Sequence, residues 1–174
     1  MATYYSASLM DLYEREEPDR KISYERFVKN LGKQVFLELR EILGIDLEPP
    51  KRFYTIHGHN NHPERVPKEK GHDPNNSITV GQISYNVDTN VLSRVIKINK
   101  VRIGFTVWYD MTLKSFIECT GHEMVHYYDL VYNKKYPLYH KRAFKKIMRK
   151  WNKKLKPHGI EIKEYCNVLN RIHI

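Results

Sequence analysis

Apolar positions return at helical spacing through residues 22–43, where Phe27, Val28, Leu31, Val35, Leu39 and Ile42 mark one stripe. Ser23 can cap that helix, Ile22 can staple onto Phe27, and Gly44 supplies the stop. After Pro49 and Pro50 the pattern changes to short extended runs. Residues 53–56 suit a strand. Ile83, Tyr85 and Val87 alternate, Asp88, Thr89 and Asn90 read as a turn, and residues 92–99 are rich in branched apolar side chains, so the pair predicts a hairpin. Ile103, Phe105, Val107 and Tyr109 alternate as a further strand. From Asp110 or Thr112 to about Tyr132 the period is helical again, with Leu113, Ile117, Met124, Tyr128 and Val131 on one face and Phe116 beside them. A loop containing Pro137 leads to a last helix over residues 141–155, with Phe144, Ile147, Met148, Trp151 and Leu155 as its apolar stripe. The expected class is α+β: a small, mostly antiparallel sheet packed on helices.

The 174 residues fit one domain, 41% hydrophobic and with only 8 Gly and 8 Pro, which excludes a disordered or fibrous chain. Residues 1–21 read as a polar N-terminal extension and residues 57–76 as a long polar loop. No apolar run is long enough for a membrane span, and no secretory signal stands at the start, so a cytoplasmic location is expected. Cys119 and Cys166 are too few for a disulfide framework or a four-cysteine zinc ribbon.

Charge changes the picture because it is local. Eleven of the 30 Lys and Arg residues fall within residues 134–156, which hold no Asp or Glu; the remainder of the chain carries 19 basic residues against 20 acidic. A one-sided field of this kind attracts polyphosphate. The basic helix, residues 141–156, is therefore the candidate nucleic-acid surface, through Lys141, Arg142, Lys145, Lys146, Arg149, Lys150, Lys153 and Lys154.

The buried helix contains Gly121, His122, Glu123, Met124, Val125 and His126, an H-E-x-x-H pattern. Residues four apart share a helix face, so His122 and His126 can reach one Zn2+, and Glu123 can take a proton from water at that metal. A catalytic zinc needs a third protein ligand and an open position. Asp129 lies about 10 Å along the axis from His122, too far to close the site from the same helix. Cys119 suits a small core position, and Glu161 and Glu164 remain open as ligands. His140 is better placed, because it stands where the last helix begins and the chain can fold back there.

With those residues in view, the run GHEMVHYYDLVYNKKYPLYHKRAFKKIMRKWNKKLKPHGIEI resembles the metalloprotease core of the SprT-like family, which includes the Spartan proteases. The shared features are the helix with His122, Glu123 and His126, then His140, Phe144, and the closing Gly159, Ile160, Glu161 and Ile162; the segment Ile96 to Asn99 is also similar. The likeness covers roughly half the chain, about residues 77–163, and only residues 121–144 are specific. It implies a zincin-like fold, His122, His126 and His140 as zinc ligands, Glu123 as base, and a protein substrate bound or crosslinked to DNA. The chain departs from the family in placing Lys141 and Arg142 after the third histidine, where small residues and Pro are common, and in lacking a zinc ribbon.

The reading is thus a zinc-dependent endopeptidase, expected as a monomer without membrane contact, with DNA engaged by the basic helix. Its rival is a nucleic-acid-binding protein whose zinc site is structural or degenerate; a hydrolase acting on another bond also fits the motif. Tyr127, Tyr128, Tyr132, Tyr139 and His158 are candidates for stabilising an oxyanion. Asp129 either orients a ligand histidine or is an exposed carboxylate. Trp108 reads as packing, and His57, His59, His62 and His72 as a solvated loop or a flap.

Overall fold

A computed structural model of the chain describes residues 5–57, 81–90, 95–133, 140 and 142–164. The first element, helix α1 (Leu9–Glu16), lies inside the expected N-terminal extension. Ser8 caps it by accepting the Asp11 N–H, and Leu9, Leu12 and Tyr13 point into the core. Two backbone bonds fix this segment to the entry of a later helix: Leu9 N–H donates to Met111 O, and Leu113 N–H to Ala7 O, each at 2.9 Å. Two turns of helix with three buried residues are too short a pattern to stand out from a charged sequence.

Helix α2 (Tyr24–Leu43) follows the expected bounds. Ser23 accepts the Arg26 N–H at its start, and Gly44 ends it in the left-handed region at φ 62°. Gly32 brings α2 so close to the sheet that a Cβ there would collide with the Phe105 ring.

The sheet has three strands among the described residues, β1 (Arg52–Ile56), β2 (Gly81–Asn90) and β3 (Val95–Thr106), in the order β1-β3-β2. β2 and β3 are antiparallel, from Gly81↔Phe105 to Asn90↔Val95, as the hairpin required. β1 runs parallel to β3, with Phe53 opposite Ile103, so the sheet is mixed rather than mostly antiparallel. Two further corrections concern β3. The expected runs over residues 92–99 and 103–109 meet in one strand, Val95–Thr106, interrupted by a bulge between the Asn86↔Asn99 and Ser84↔Arg102 pairs. Lys100 sits in that bulge at φ 53°. One extra residue on β3 shifts the alternation of faces by one position, which breaks the pattern as a turn would. The residues read as a turn, Asp88 to Asn90, belong to β2 and pair with Lys97 to Val95; the connection at 91–94 lies outside the described residues.

Helix α3 (Leu113–Val131) begins at Thr112, whose hydroxyl accepts the Ser115 N–H. Helix α4 (Arg142–Leu155) passes into a 3-10 turn, Lys156–His158, and Gly159 then releases an extended tail at φ 72°. Phe105 stands at the centre of the core, stacked on Phe53 and 4.8 Å from the Phe116 ring. Trp108 packs against the same core. No helix among the described residues is long and apolar enough to cross a membrane. The loop over residues 58–76, the Pro137 loop and Cys166 lie outside the described residues.

Leu12 is 2% exposed within this core. Leu12→Ala should therefore cost about 2–5 kcal/mol in a urea titration of the full chain, the range for an emptied core leucine. A midpoint unchanged from wild type would show that α1 is an appendage.

Candidate metal centre

Helix α3 is buried on nearly every side from Phe116 to Val125, so each polar group along it needs a partner. Thr120 returns its hydroxyl to Phe116 O at 2.8 Å. His122 is 6% exposed and lies one turn before His126; their rings are 4.9 Å apart. His140 completes the group from outside the helix. Its Nε2 lies 3.0 Å from the Nε2 atoms of both His122 and His126, which are 3.2 Å from one another. The three can hold one metal ion. An ion about 2.0–2.1 Å from each imidazole nitrogen in tetrahedral array sets those nitrogens about 3.3 Å apart, close to what is seen.

The tautomer supports the same arrangement. His122 Nδ1 lies 2.8 Å from Lys163 O, a carbonyl that can only accept, so Nδ1 carries the proton and Nε2 presents a lone pair to the other two rings. Burial, reinforced by the neighbouring imidazoles, lowers the pKa of His126 to about 2; burial lowers that of His122 to about 4. Both are neutral at neutral pH, as metal ligands must be. The Phe144 ring forms an apolar floor below all three, at 4.5 to 5.0 Å from their centroids.

The tail after Gly159 crosses α3 and supplies contacts that sequence spacing did not reveal. Ile162 packs against Gly121, where a Cβ would lie 2.8 Å from its Cγ1. Lys163 O accepts a hydrogen bond from His122 Nδ1, and the Lys163 ammonium pairs with buried Glu118 at 3.9 Å. Glu164 takes a place beside the third ligand: its carboxylate lies 3.9 Å from His140 Nδ1, the nitrogen facing away from the other two imidazoles, and 3.7 Å from Lys145. Of the alternative ligands, Glu161 is exposed, Cys119 is fully buried in the core, and Asp129 is buried and accepts a hydrogen bond from Asn133. None of them belongs to the group of three.

Glu123 points from α3 toward the start of β2. A Cβ at Gly81 would stand 2.7 Å from its Oε1 and 2.8 Å from Cys119 Sγ, so glycine leaves the space the carboxylate occupies. Burial raises the Glu123 pKa to about 8. No local pattern around Gly81 signals this role; the contact exists only once β2 lies beside α3.

The remaining candidates divide. The Tyr127 and Tyr132 hydroxyls donate to Glu48 O and Asp46 O, which commits them to the 46–48 segment. Tyr128 stacks on Tyr132 and meets Trp151 edge-on, His158 is exposed, and Tyr139 lies outside the described residues. On α4, Arg142, Lys146, Arg149 and Lys153 are exposed at positions i, i+4, i+7 and i+11, a single stripe with exposed Lys150 beside it. Lys154 instead donates to Leu43 O at 2.6 Å and caps the end of α2, and Lys145 is paired with Glu164. Lys141 lies outside the described residues.

Comparison with protein-family models, with curated proteins and with solved structures finds no match to this chain.

Gly81→Ala should lower stability by about 1–3 kcal/mol, as overpacking does, while Zn2+ affinity stays within a few-fold of wild type. A large loss of affinity with intact stability would contradict the contact assignment. For the metal-free chain the pH dependence follows from three groups. The unfolded state binds more protons at His122 and His126 below about pH 6.5, so their contribution is present above 6.5 and lost as pH falls. The folded state binds more protons at Glu123 between 4.5 and about 8, so its contribution is lost as pH rises through that window. The two histidines outweigh one glutamate below 6.5, which puts the highest urea midpoint near pH 6.5. Glu123→Gln should remove the decline toward pH 8; a decline that persists in this variant assigns it to another group.

Proposed function

We propose that the protein is a zinc-dependent endopeptidase that acts on proteins held at nucleic acid. The observation that carries this reading is the convergence of three imidazole Nε2 atoms at 3.0 to 3.2 Å, two from a buried helix and one from outside it, with the buried carboxylate of Glu123 next to the first of them in the chain. All-nitrogen, neutral ligation suits zinc, and the likeness of residues 121–162 to the SprT-like, zincin-type core agrees with it. When bound, zinc supplies a Lewis acid and makes water a nucleophile near neutral pH.

The remaining steps belong to the chain. Burial keeps His122 and His126 unprotonated, and together with His140 they would hold the ion. Glu123 is raised by burial when no cation is near, and a cation beside it favours the carboxylate form. As general base it accepts the proton of the attacking water and returns it to the leaving amine. Among the described residues β2 pairs only with β3, and its other edge is where an extended peptide would lie past Glu123. Recognition there uses main-chain hydrogen bonds and little side-chain identity. Selection must then come from localisation.

The stripe on α4 provides it. The apolar side of this helix is consumed by the core through Phe144, Trp151 and Leu155, so it cannot insert into a bilayer, and its charge faces a polyanion such as DNA. We place the enzyme inside the cell, in the cytoplasm, where such a partner is met.

Glu123→Gln should reduce casein or self-cleavage by about 10²–10⁴-fold while zinc content and single-stranded DNA binding are retained. If the substitution leaves all measurable function intact and only the α4 surface matters, the protein is a binding module with a structural metal. Lys146→Glu combined with Arg149→Glu should weaken DNA binding and flatten its salt dependence by roughly two phosphate contacts, with peptidase activity on a free peptide unchanged. DNA affinity insensitive to this charge reversal would remove α4 from the interface.

A further inference from the structure

The tail that carries the His122 partner has no ladder of its own. Residues 160–164 belong to neither helix nor strand, yet Ile160 and Ile162 are buried. A buried extended segment needs its main-chain groups satisfied by something. At Ile160 the N–H reaches Leu155 O at 3.3 Å. At Ile162 both groups go to one side chain: the Ile162 N–H donates to Asn152 Oδ1 at 2.8 Å, and Asn152 Nδ2 donates to Ile162 O at 2.9 Å. The carboxamide imitates the paired bonds of a neighbouring strand. On its other side, Ile162 is held by its own side chain, 1% exposed and lodged against Gly121, the residue before the first ligand. The next carbonyl along is Lys163 O, which takes the His122 Nδ1 proton.

We infer that Asn152 is a positioning residue of the metal centre, acting through the Ile162 backbone to hold Lys163 O where it fixes the tautomer and ring orientation of His122. With both polar groups of Ile162 clamped and its side chain locked, the following peptide has little freedom to turn. Without the clamp, Lys163 O is free to swing away. His122 then loses the acceptor that keeps its proton on Nδ1, and the alternative tautomer places that proton on Nε2, pointed at the other imidazoles and blocking a cation. Asn152 touches none of the three ligands in this scheme. It acts along α4, the same helix that supplies the Phe144 floor.

The inference rests on the metal-centre reading and is tested without proteolysis. In the metal-free full chain at neutral pH, nitrogen-15 spectra of the histidine rings should show His122 as the Nδ1–H tautomer. Asn152→Ala should give a mixture of tautomers, and Zn2+ affinity measured by competition with a chromophoric chelator should fall by about 10-fold, in the range for lost ligand support. Asn152→Asp keeps the acceptor for Ile162 N–H but not the donor to Ile162 O, and should also shift the tautomer; it carries the test if the alanine variant does not fold. Tyr13→Phe, which removes a 2.6 Å bond to Ile22 O far from the metal, serves as control and should lower stability alone. If the Asn152 variants behave as that control does, with tautomer and affinity unchanged, Asn152 is a structural clamp and the inference fails. If the wild-type chain itself has no Zn2+ affinity, the endopeptidase reading falls, and the tautomer comparison still decides the role of Asn152.

Discussion

Three imidazole nitrogens facing one another at about 3 Å inside a protein are unfavourable unless something positive stands between them. Lone pairs repel, a single shared proton can satisfy only one pair, and burial keeps His122 and His126 from charging to relieve the strain. The rest of the structure is arranged around keeping that group together: a helix buried on nearly every side, an aromatic floor below the rings, and a tail that fixes the proton of one ligand on its outer nitrogen. A cation turns the same arrangement from a cost into an attraction, since each neutral Nε2 then has the partner its lone pair requires.

Rigidity follows from the same arrangement. Gly121 and Gly81 border the site from two sides, and each allows an approach that a methyl group would prevent: Ile162 against α3 in one case, Glu123 against β2 in the other. His122, Glu123 and strand β2 are thereby linked through close packing. Precise catalytic groups are better served by such elements, because their positions are set by the core.

The basic helix shows how one element can serve two purposes without compromise. Its apolar stripe closes the core and supplies the Phe144 floor under the three histidines, while its opposite face carries exposed basic residues in a straight row. Two of its lysines are exceptions that sequence alone does not distinguish. Lys154 is spent on the carbonyl end of α2, where a cation complements the helix dipole, and Lys145 lies against Glu164.

Local rules were enough for the long helices, the cap at Ser23, the left-handed stop at Gly44, and the placement of His122 and His126 on one turn, because all of these depend on residues within a few positions of each other. The hairpin was also legible, though the bulge at Lys100 shifted the alternation and made one strand resemble two. Spacing favoured His140 but could not fix its distance, and it left Glu161 and Glu164 open. Only the tertiary structure could bring His140 to 3.0 Å from its partners, join β1 in parallel to a strand some fifty positions away, seat α1 in the core, and bring Asn152, Ile162 and Lys163 to the back of the ligand. Those contacts join residues from about ten to more than a hundred positions apart. Which of many possible partners meets across such a separation is decided by how the whole core packs, and no periodicity along the chain records it.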